Sequence, residues 1–192
     1  MPDLKGTETE KNLLKAFAGE SQARNRYTYA AGVARKAGYL QIARLFEETA
    51  DNERAHAKVF FKFLESGSGL EITAMYPAGK IGDTAENLLA AAEGEKEEWT
   101  ELYPAFAAKA KEEGFGEVAT AFTMIAKVEK EHEARYRKLL DRVKADGVFK
   151  REKPIRWKCA NCGYIHEGTE PPQVCPACAH PQPHFAEAEE NY

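Results

Sequence analysis

The sequence predicts an all-α protein: a four-helix bundle with one long crossover, followed by a small C-terminal metal-knuckle domain. Three observations carry this. Four long stretches repeat their apolar residues every three to four positions, the mark of one buried helix face. The links between them run short, long, short, which suits a bundle with a single crossover. All four cysteines of the 192-residue chain fall between positions 159 and 178, which points to one metal site and not to a disulfide framework spread over the fold.

Each element follows from local signals. Thr7 with Glu10 reads as a capping box for the first helix, which runs to Lys36 and stops at Gly38. The second spans Leu40 to Ser66 and ends in Gly67-Ser68-Gly69. Residues 67–82, with Pro77 and Gly79, form the long connection, and Asp83 with Glu86 starts the third helix. That helix ends near Gly114 and should bend or break its ladder at Pro104. The fourth runs from Gly116 to Asp146, with Gly147 as its stop. The expected domains are residues 1–147 for the bundle, 148–153 for a linker and 154–192 for the cysteine module.

Composition sets the bounds. Hydrophobic content of 43% supports a core, and 30% charge marks a soluble protein. The net charge of −4 offers no basic face for nucleic acid, and no apolar run reaches membrane-spanning length. The polar start, Met1 to Asn12, reads as neither signal nor transit peptide, so a reducing cytoplasmic compartment is the expectation.

The bundle is an internal duplication. Asn12, Leu13, Leu14, Ala16, Gly19 and Glu20 recur 75 positions on as Asn87, Leu88, Leu89, Ala91, Gly94 and Glu95. With an offset of 76, Gly38, Ala43, Phe46, Ala50, Glu53, His56 and Leu64 recur as Gly114, Ala119, Phe122, Ala126, Glu129, His132 and Leu140. Each half therefore carries a lone Glu and a Glu-x-x-His, all in the middle of apolar stripes.

Burying an ionised carboxylate is costly unless a cation neutralises it. No Lys or Arg lies on these stripes near Glu53 or Glu129, so a metal supplies the positive charge. One Glu from each of two helices plus Glu-x-x-His from each of the other two is the ligand set of di-iron and di-manganese carboxylate bundles. The candidate ligands are Glu20, Glu53, His56, Glu95, Glu129 and His132, and oxygen-rich ligation suits iron or manganese better than zinc.

Symmetry breaks where Ala23 is matched by Glu98, a fifth carboxylate on one side only. Four carboxylates balance a diferrous pair, and the higher charge of an oxidised pair calls for a fifth, so an iron can trade neutral His56 for anionic Glu98. The alternative is a Glu98 solvated beside Glu97. Tyr27 and Tyr103 either hydrogen-bond ligand carboxylates or simply pack the core. Glu47, Glu48, Glu97, Glu131 and Glu133 fall off the stripes and read as surface charge, and His166, His180 and His184 are not read as ligands.

Cys159-x-x-Cys162 and Cys175-x-x-Cys178, twelve residues apart, are a four-thiolate signal. A module of this size cannot bury a sufficient core, so a metal holds it folded, with Trp157, Tyr164 and Phe185 as a small cluster. Ligands alone favour a zinc ribbon. The neighbouring redox site shifts the reading to iron, because an iron held by four thiolates shuttles one electron and zinc cannot.

Taken together, Gly19 to Tyr27, Glu53-Arg54-Ala55-His56, Gly94-Glu95 with Glu98, Glu129 to His132, and the paired cysteine knuckles resemble the rubrerythrin family over essentially the whole chain. The resemblance implies a ferritin-like di-iron bundle joined to a rubredoxin-like domain with one iron on four cysteines. It also implies reduction of hydrogen peroxide to water in oxidative-stress defence, with electrons from NAD(P)H through partner redox proteins such as a rubredoxin. The iron that moves with redox state would do so between Glu98 and His56. Ala179 departs from the Gly usual after the last Cys of simple rubredoxins, which bears on potential tuning. The expected assembly is a head-to-tail homodimer, since Glu129 and Asp146 lie about 25 Å apart along the fourth helix at 1.5 Å per residue. The rival classes are a ferritin-like ferroxidase or iron-storage protein and a zinc-stapled binding scaffold.

Overall fold

The computed structural model describes residues 3–64 and 67–190. Helix α1 spans Glu8–Lys36 and α2 Leu40–Phe63. The third rod is α3 Thr84–Glu97, a π-helical turn Glu98–Leu102 and α4 Tyr103–Glu112, and α5 spans Gly116–Lys144. Strands β1 Ile155–Cys159, β2 Ile165–Gly168 and β3 Phe185–Glu187 form an antiparallel sheet in the order β2-β1-β3. Among the described residues, no helix is long and apolar enough to cross a membrane.

The caps follow the sequence with two differences. Asp83 and Glu86 form a complete capping box. At α1, Thr7 accepts from the Glu10 amide, but the Glu10 carboxylate accepts from Gly6 N–H at 2.7 Å, so that box is not reciprocal. Helix α5 ends at Lys144, two residues before the expected Asp146. There Asp146 adopts the left-handed conformation (φ 49°), and the Gly147 amide closes the turn onto Arg142 O at 2.8 Å. Helix α2 ends at Phe63; the Ser66 end expected for it lies outside the described residues.

Pro104 shapes the third rod. A proline in a regular helix lacks the amide that bonds four residues back, and its ring clashes with that carbonyl. Here the preceding turn widens, and the Tyr103 amide donates to Glu98 O, five residues back. The turn takes up one extra residue, which is why the repeat offset changes from 75 at Glu20/Glu95 to 76 at Gly38/Gly114. With that extra residue, Tyr103 rather than Leu102 is the counterpart of Tyr27.

Helix α1 packs along α2, and the α3–α4 rod packs along α5. The crossover returns outside the bundle, where Tyr76 Oη donates to Lys15 O at 2.7 Å. The core is divided in two. One cluster gathers Tyr27, Ala30, Ile42, Phe46, Leu88, Tyr136 and Leu140. The other gathers Leu13, Ala16, Phe60, Tyr103, Val118 and Phe122. The buried carboxylates lie between them.

The cysteine module sits at the bundle end that carries the α1–α2 turn and the end of α5. Arg142 pairs with Glu187 at 3.2 Å, and a side chain added at Gly38 would meet Pro183 at 3.6 Å.

Candidate metal centre

Glu20, Glu53, Glu95 and Glu129 are each at most 1% exposed, a concentration of carboxylates that no bundle core tolerates without cations. The helical repeat brings their side chains together with two imidazoles. Glu20, Glu53, His56 and Glu129 have ligand atoms within 4.8 Å of one another, and so do Glu53, Glu95, Glu129 and His132. Glu53 and Glu129 belong to both groups.

The imidazoles turn Nδ1 inward. His56 Nδ1 lies 3.0 Å from Glu53 and 2.9 Å from Glu129, and His132 Nδ1 lies 2.8 Å from Glu129 and 3.3 Å from Glu53. Burial acts to lower both imidazoles, yet Glu129 and Glu53 outweigh it and push His56 up to about 9 and His132 up to about 12. Burial acts to raise Glu53, and His132 and His56 outweigh it to bring Glu53 down to about 2. Glu20 is raised well above the carboxylate range, by burial first and then by the charges of Glu53 and Glu129. Burial first, with Glu53 and Glu129 adding and His132 opposing, raises Glu95 to about 8. The shifts mark a cluster that holds positive charge tightly, as a metal site does.

The polar atoms agree. Glu20 Oε2, Glu53 Oε1, Glu95 Oε2, both Glu129 oxygens and His132 Nδ1 are buried and make no aligned hydrogen bond, although Glu129 and Glu53 lie close to the imidazoles. Such atoms are costly unless a metal takes them up. The donor set, six oxygen and nitrogen ligands with two shared carboxylates, fits a pair of iron or manganese ions.

Outside the cluster, the two tyrosines are donors and not merely core filling. Tyr27 Oη donates to Glu95 Oε1 at 2.7 Å, and Tyr103 Oη donates to Glu20 Oε1 at 2.5 Å. Asn52, which the sequence reading passed over, lies 3.3 Å from His132 Nε2 through its Oδ1 and fixes that ring with Nδ1 facing inward. The position equivalent to Asn52 in the repeat is Val128, so His56 has no matching tether.

Glu98 stands apart from both four-residue groups. Its half-buried carboxyl is raised well above the usual range by burial first, then by Glu95, Glu129 and Glu53, so it faces the cluster and not open solvent. Its Oε1 and the Tyr76 ring both lie against the bare side of Gly19, at 4.0 Å and 3.8 Å from where a β-carbon would be. Glu47, Glu48, Glu97 and Glu131 are exposed, whereas Glu133 is drawn in to pair with Arg137 and to accept from Trp99 Nε1 at 2.6 Å.

The second centre is built on two knuckles. Cys159 and Cys178 sulfurs lie 3.8 Å apart, and Cys162 and Cys175 sulfurs 3.7 Å apart. A tetrahedral site with metal–sulfur bonds of about 2.3 Å has edges of about 3.8 Å. All four sulfurs lie within 4.8 Å of one another, too far for disulfides and right for one ion. Trp157, Phe185 and the half-buried Tyr164 pack against the cysteines as the sequence suggests. The residue after each second cysteine is left-handed, Gly163 at φ 81° and Ala179 at φ 59°. The His180 amide leads in holding the Cys178 thiol down to about 6. Among the described residues, His166, His180 and His184 join no metal-binding group.

A four-helix bundle with a buried di-metal carboxylate cluster, joined to a four-cysteine module, is the architecture of an oxidoreductase. Family models described as rubrerythrin and as the rubredoxin-like domain of rubrerythrin match residues 11–140 and 157–186. Rubrerythrin of Porphyromonas gingivalis is 61% identical over 98% of this chain and 94% of its own length. Rubrerythrin of Nitratidesulfovibrio vulgaris is 57% identical over 96% of each. The structure of fully reduced, all-ferrous nigerythrin superposes with a TM-score of 0.64 at 33% identity, covering 96% of this chain and 91% of that one. The chain belongs to the rubrerythrin family, with a di-iron site in a ferritin-like bundle and a rubredoxin-like four-cysteine site.

Proposed function

We propose that the chain reduces hydrogen peroxide to water at the di-iron site. Electrons enter through the four-cysteine centre from a rubredoxin or an NAD(P)H-dependent reductase. The setting is oxidative-stress defence in the cytoplasm, where thiolates stay reduced. The observation that supports this best is the pairing, in one chain, of a two-metal cluster sharing two carboxylates with a thiolate tetrahedron suited to one-electron transfer.

In this reading Glu20, Glu53, His56, Glu95, Glu129 and His132 would hold the two metals, with Glu53 and Glu129 within reach of both. When bound, the iron pair supplies the two electrons that cleave the O–O bond. Tyr27 and Tyr103 hold Glu95 and Glu20 in place, and burial raises both phenols well above their ordinary value, so each keeps its proton as a donor. The widened turn at Pro104 is what aims Tyr103 at Glu20. Asn52 pins His132, whereas His56 has no matching tether and would be the freer of the two imidazoles. Glu98, held against Gly19, would be the carboxylate to take the place of His56 when the site gains positive charge. Tyr76 covers that side from the crossover.

The module's place on the bundle supports transfer between subunits. Glu129 and Arg142, where the module docks, are about 20 Å apart along α5 at 1.5 Å per residue. An antiparallel partner would bring its own cysteine centre beside the di-iron site, making the unit a head-to-tail homodimer.

Mixed dimers test the scheme. One chain carries Cys159→Ala and Cys162→Ala, the other Glu53→Ala and Glu129→Ala. The expected result is two inactive homodimers and a mixed dimer with about half of wild-type NADH-coupled peroxide consumption. The Glu variant should keep the colour of its cysteine centre while losing the iron pair. A mixed dimer that forms and consumes no peroxide would contradict the route.

A further inference from the structure

The two imidazoles of the cluster are copies of one another in the repeat, but their supports are not. His132 Nε2 lies 3.3 Å from Asn52 Oδ1. An amide oxygen only accepts, so this bond keeps a proton on Nε2 and leaves Nδ1, 2.8 Å from Glu129, for a metal. Beside it, Arg135 on α5 reaches across to α2, pairing with Glu48 and donating to the Thr49 hydroxyl, each at 2.6 Å. The seam that supports His132 is polar and cross-linked.

The offset of 76 makes the corresponding seam on the His56 side apolar. Asn52, Thr49 and Glu48 become Val128, Ile125 and Met124, and Arg135 becomes Val59. Val128 is 37% exposed, and its side chain offers neither donor nor acceptor. Among the described residues, the His56 ring bonds to Glu53 through Nδ1 at 3.0 Å, and its Nε2 has no partner.

Proximity to Glu98 does not single out His56. Burial first, then Glu95, Glu129 and Glu53, raise the Glu98 carboxyl, and the imidazole that opposes them is His132. The ring that Glu98 feels is therefore the one that an exchange with His56 spares. As donors the rings are alike, since each completes a group with three carboxylates. What separates them is the bond to Asn52.

We propose that Asn52 is the positioning residue that decides which imidazole gives way to Glu98. The proposal rests on the exchange between His56 and Glu98 in the peroxide-reducing reading above. That exchange removes a neutral donor, brings in an anion and moves no electron. Turning His132 away from the cluster breaks its bond to Asn52 and leaves a ring N–H and an amide oxygen unpaired. Turning His56 away breaks no such bond. A support of this kind shifts the balance between the two rings by about ten-fold.

The experiment uses the full-length, iron-loaded chain and two variants, Asn52→Val and Val128→Asn. Each protein is crystallised in its diferrous and diferric states. Exchange of the imidazole N–H protons with solvent is followed by NMR on the diferrous protein, and peroxide consumption is measured on the same preparations. In the wild type, both imidazoles are expected on the metals in the diferrous state and only His132 in the diferric state. Val128→Asn should give His56 a tether of its own and keep it bound in the diferric state. Asn52→Val should exchange the His132 N–H about ten-fold faster and release His132 as well as His56 on oxidation. Release of His56 from diferric Val128→Asn overturns the proposal. So does an unchanged His132 exchange rate, or full retention of His132, in Asn52→Val. If Asn52→Val holds no iron, Val128→Asn, which removes no bond, decides alone. A wild type with both imidazoles bound in both states removes the exchange, and the proposal with it. Peroxide consumption then shows separately whether the peroxide reading stands.

Discussion

Tyr103 on α4 donates to Glu20 on α1 across the bundle at 2.5 Å, and the repeat returns the bond in mirror form as Tyr27 to Glu95 at 2.7 Å. Each half of the duplication thus steadies the lone carboxylate of the other. Removing one donor should loosen one metal and leave the core packed, since the ring of Tyr103 keeps its contacts with Phe60 and Phe122. Tyr103→Phe is expected to lower iron affinity about ten-fold at the Glu20 side, the usual scale for a lost support to a ligand. Competitive iron titration against a chelator measures this, and unchanged binding of both irons would count against the role.

Glu98→Ala addresses the fifth carboxylate. Glu98 lies outside both four-residue groups, so the diferrous site should assemble with normal stoichiometry. In the proposed exchange, the diferric site would lose the extra negative charge that Glu98 brings. The di-iron potential should rise by about 60 mV or more, the shift for a ten-fold change in a one-electron equilibrium. Potentiometric titration gives the answer, and an unshifted potential would speak against exchange with His56.

Ala179 is the strained member of the knuckle pair. It holds φ 59°, a conformation that disfavours a side chain by about 1 kcal/mol, while Gly163 occupies the matching place in the first knuckle without that cost. Ala179→Gly should stabilise the module by about 1 kcal/mol, seen as slower loss of the cysteine-centre colour in denaturant. Equal or faster loss would mean that the strain is relieved elsewhere.

Glu113 gives a pH dependence remote from the metals. Its carboxylate accepts from Thr9 N at 2.9 Å and Thr9 Oγ1 at 2.6 Å, tying the end of α4 to the start of the helix that carries Glu20. Burial acts to raise its pKa, and the bonds to Thr9 and Glu8 prevail and lower it below the ordinary 4.5. A folded-state value below the unfolded one stabilises the fold above pH 4.5, and the stabilisation is lost as pH falls through the folded value. Glu113→Gln should cost about 1.5 kcal/mol at neutral pH. Urea unfolding should show the gap from the wild type closing as pH falls below 4.5.

The bundle was legible because its signals are periodic: apolar stripes, Gly38 and Gly114 at helix ends, and a repeated Glu-x-x-His. The same period gathers Glu20, Glu53, His56, Glu95, Glu129 and His132 in one place, and the Cys-x-x-Cys spacing gathers the four sulfurs. What escaped depends on contacts between elements. Asn52 carries no periodic signal, and its bond to His132 joins residues 80 positions apart. Glu113 reaches Thr9 across 104 positions. The π-helical turn was visible in principle, because the repeat offset grows by one residue between Glu95 and Gly114. Pro104 alone suggested a bend and not an inserted residue. Likewise, only comparison with Val128 marks Asn52 as the tether of one imidazole and not of both.

The most direct test is a single turnover of the fully reduced chain, mixed anaerobically with one equivalent of hydrogen peroxide and followed by ferric absorbance. The account predicts that the di-iron site oxidises completely within the first turnover, with one peroxide consumed per iron pair and no oxygen released. Peroxide left unconsumed, or oxygen released, would contradict it.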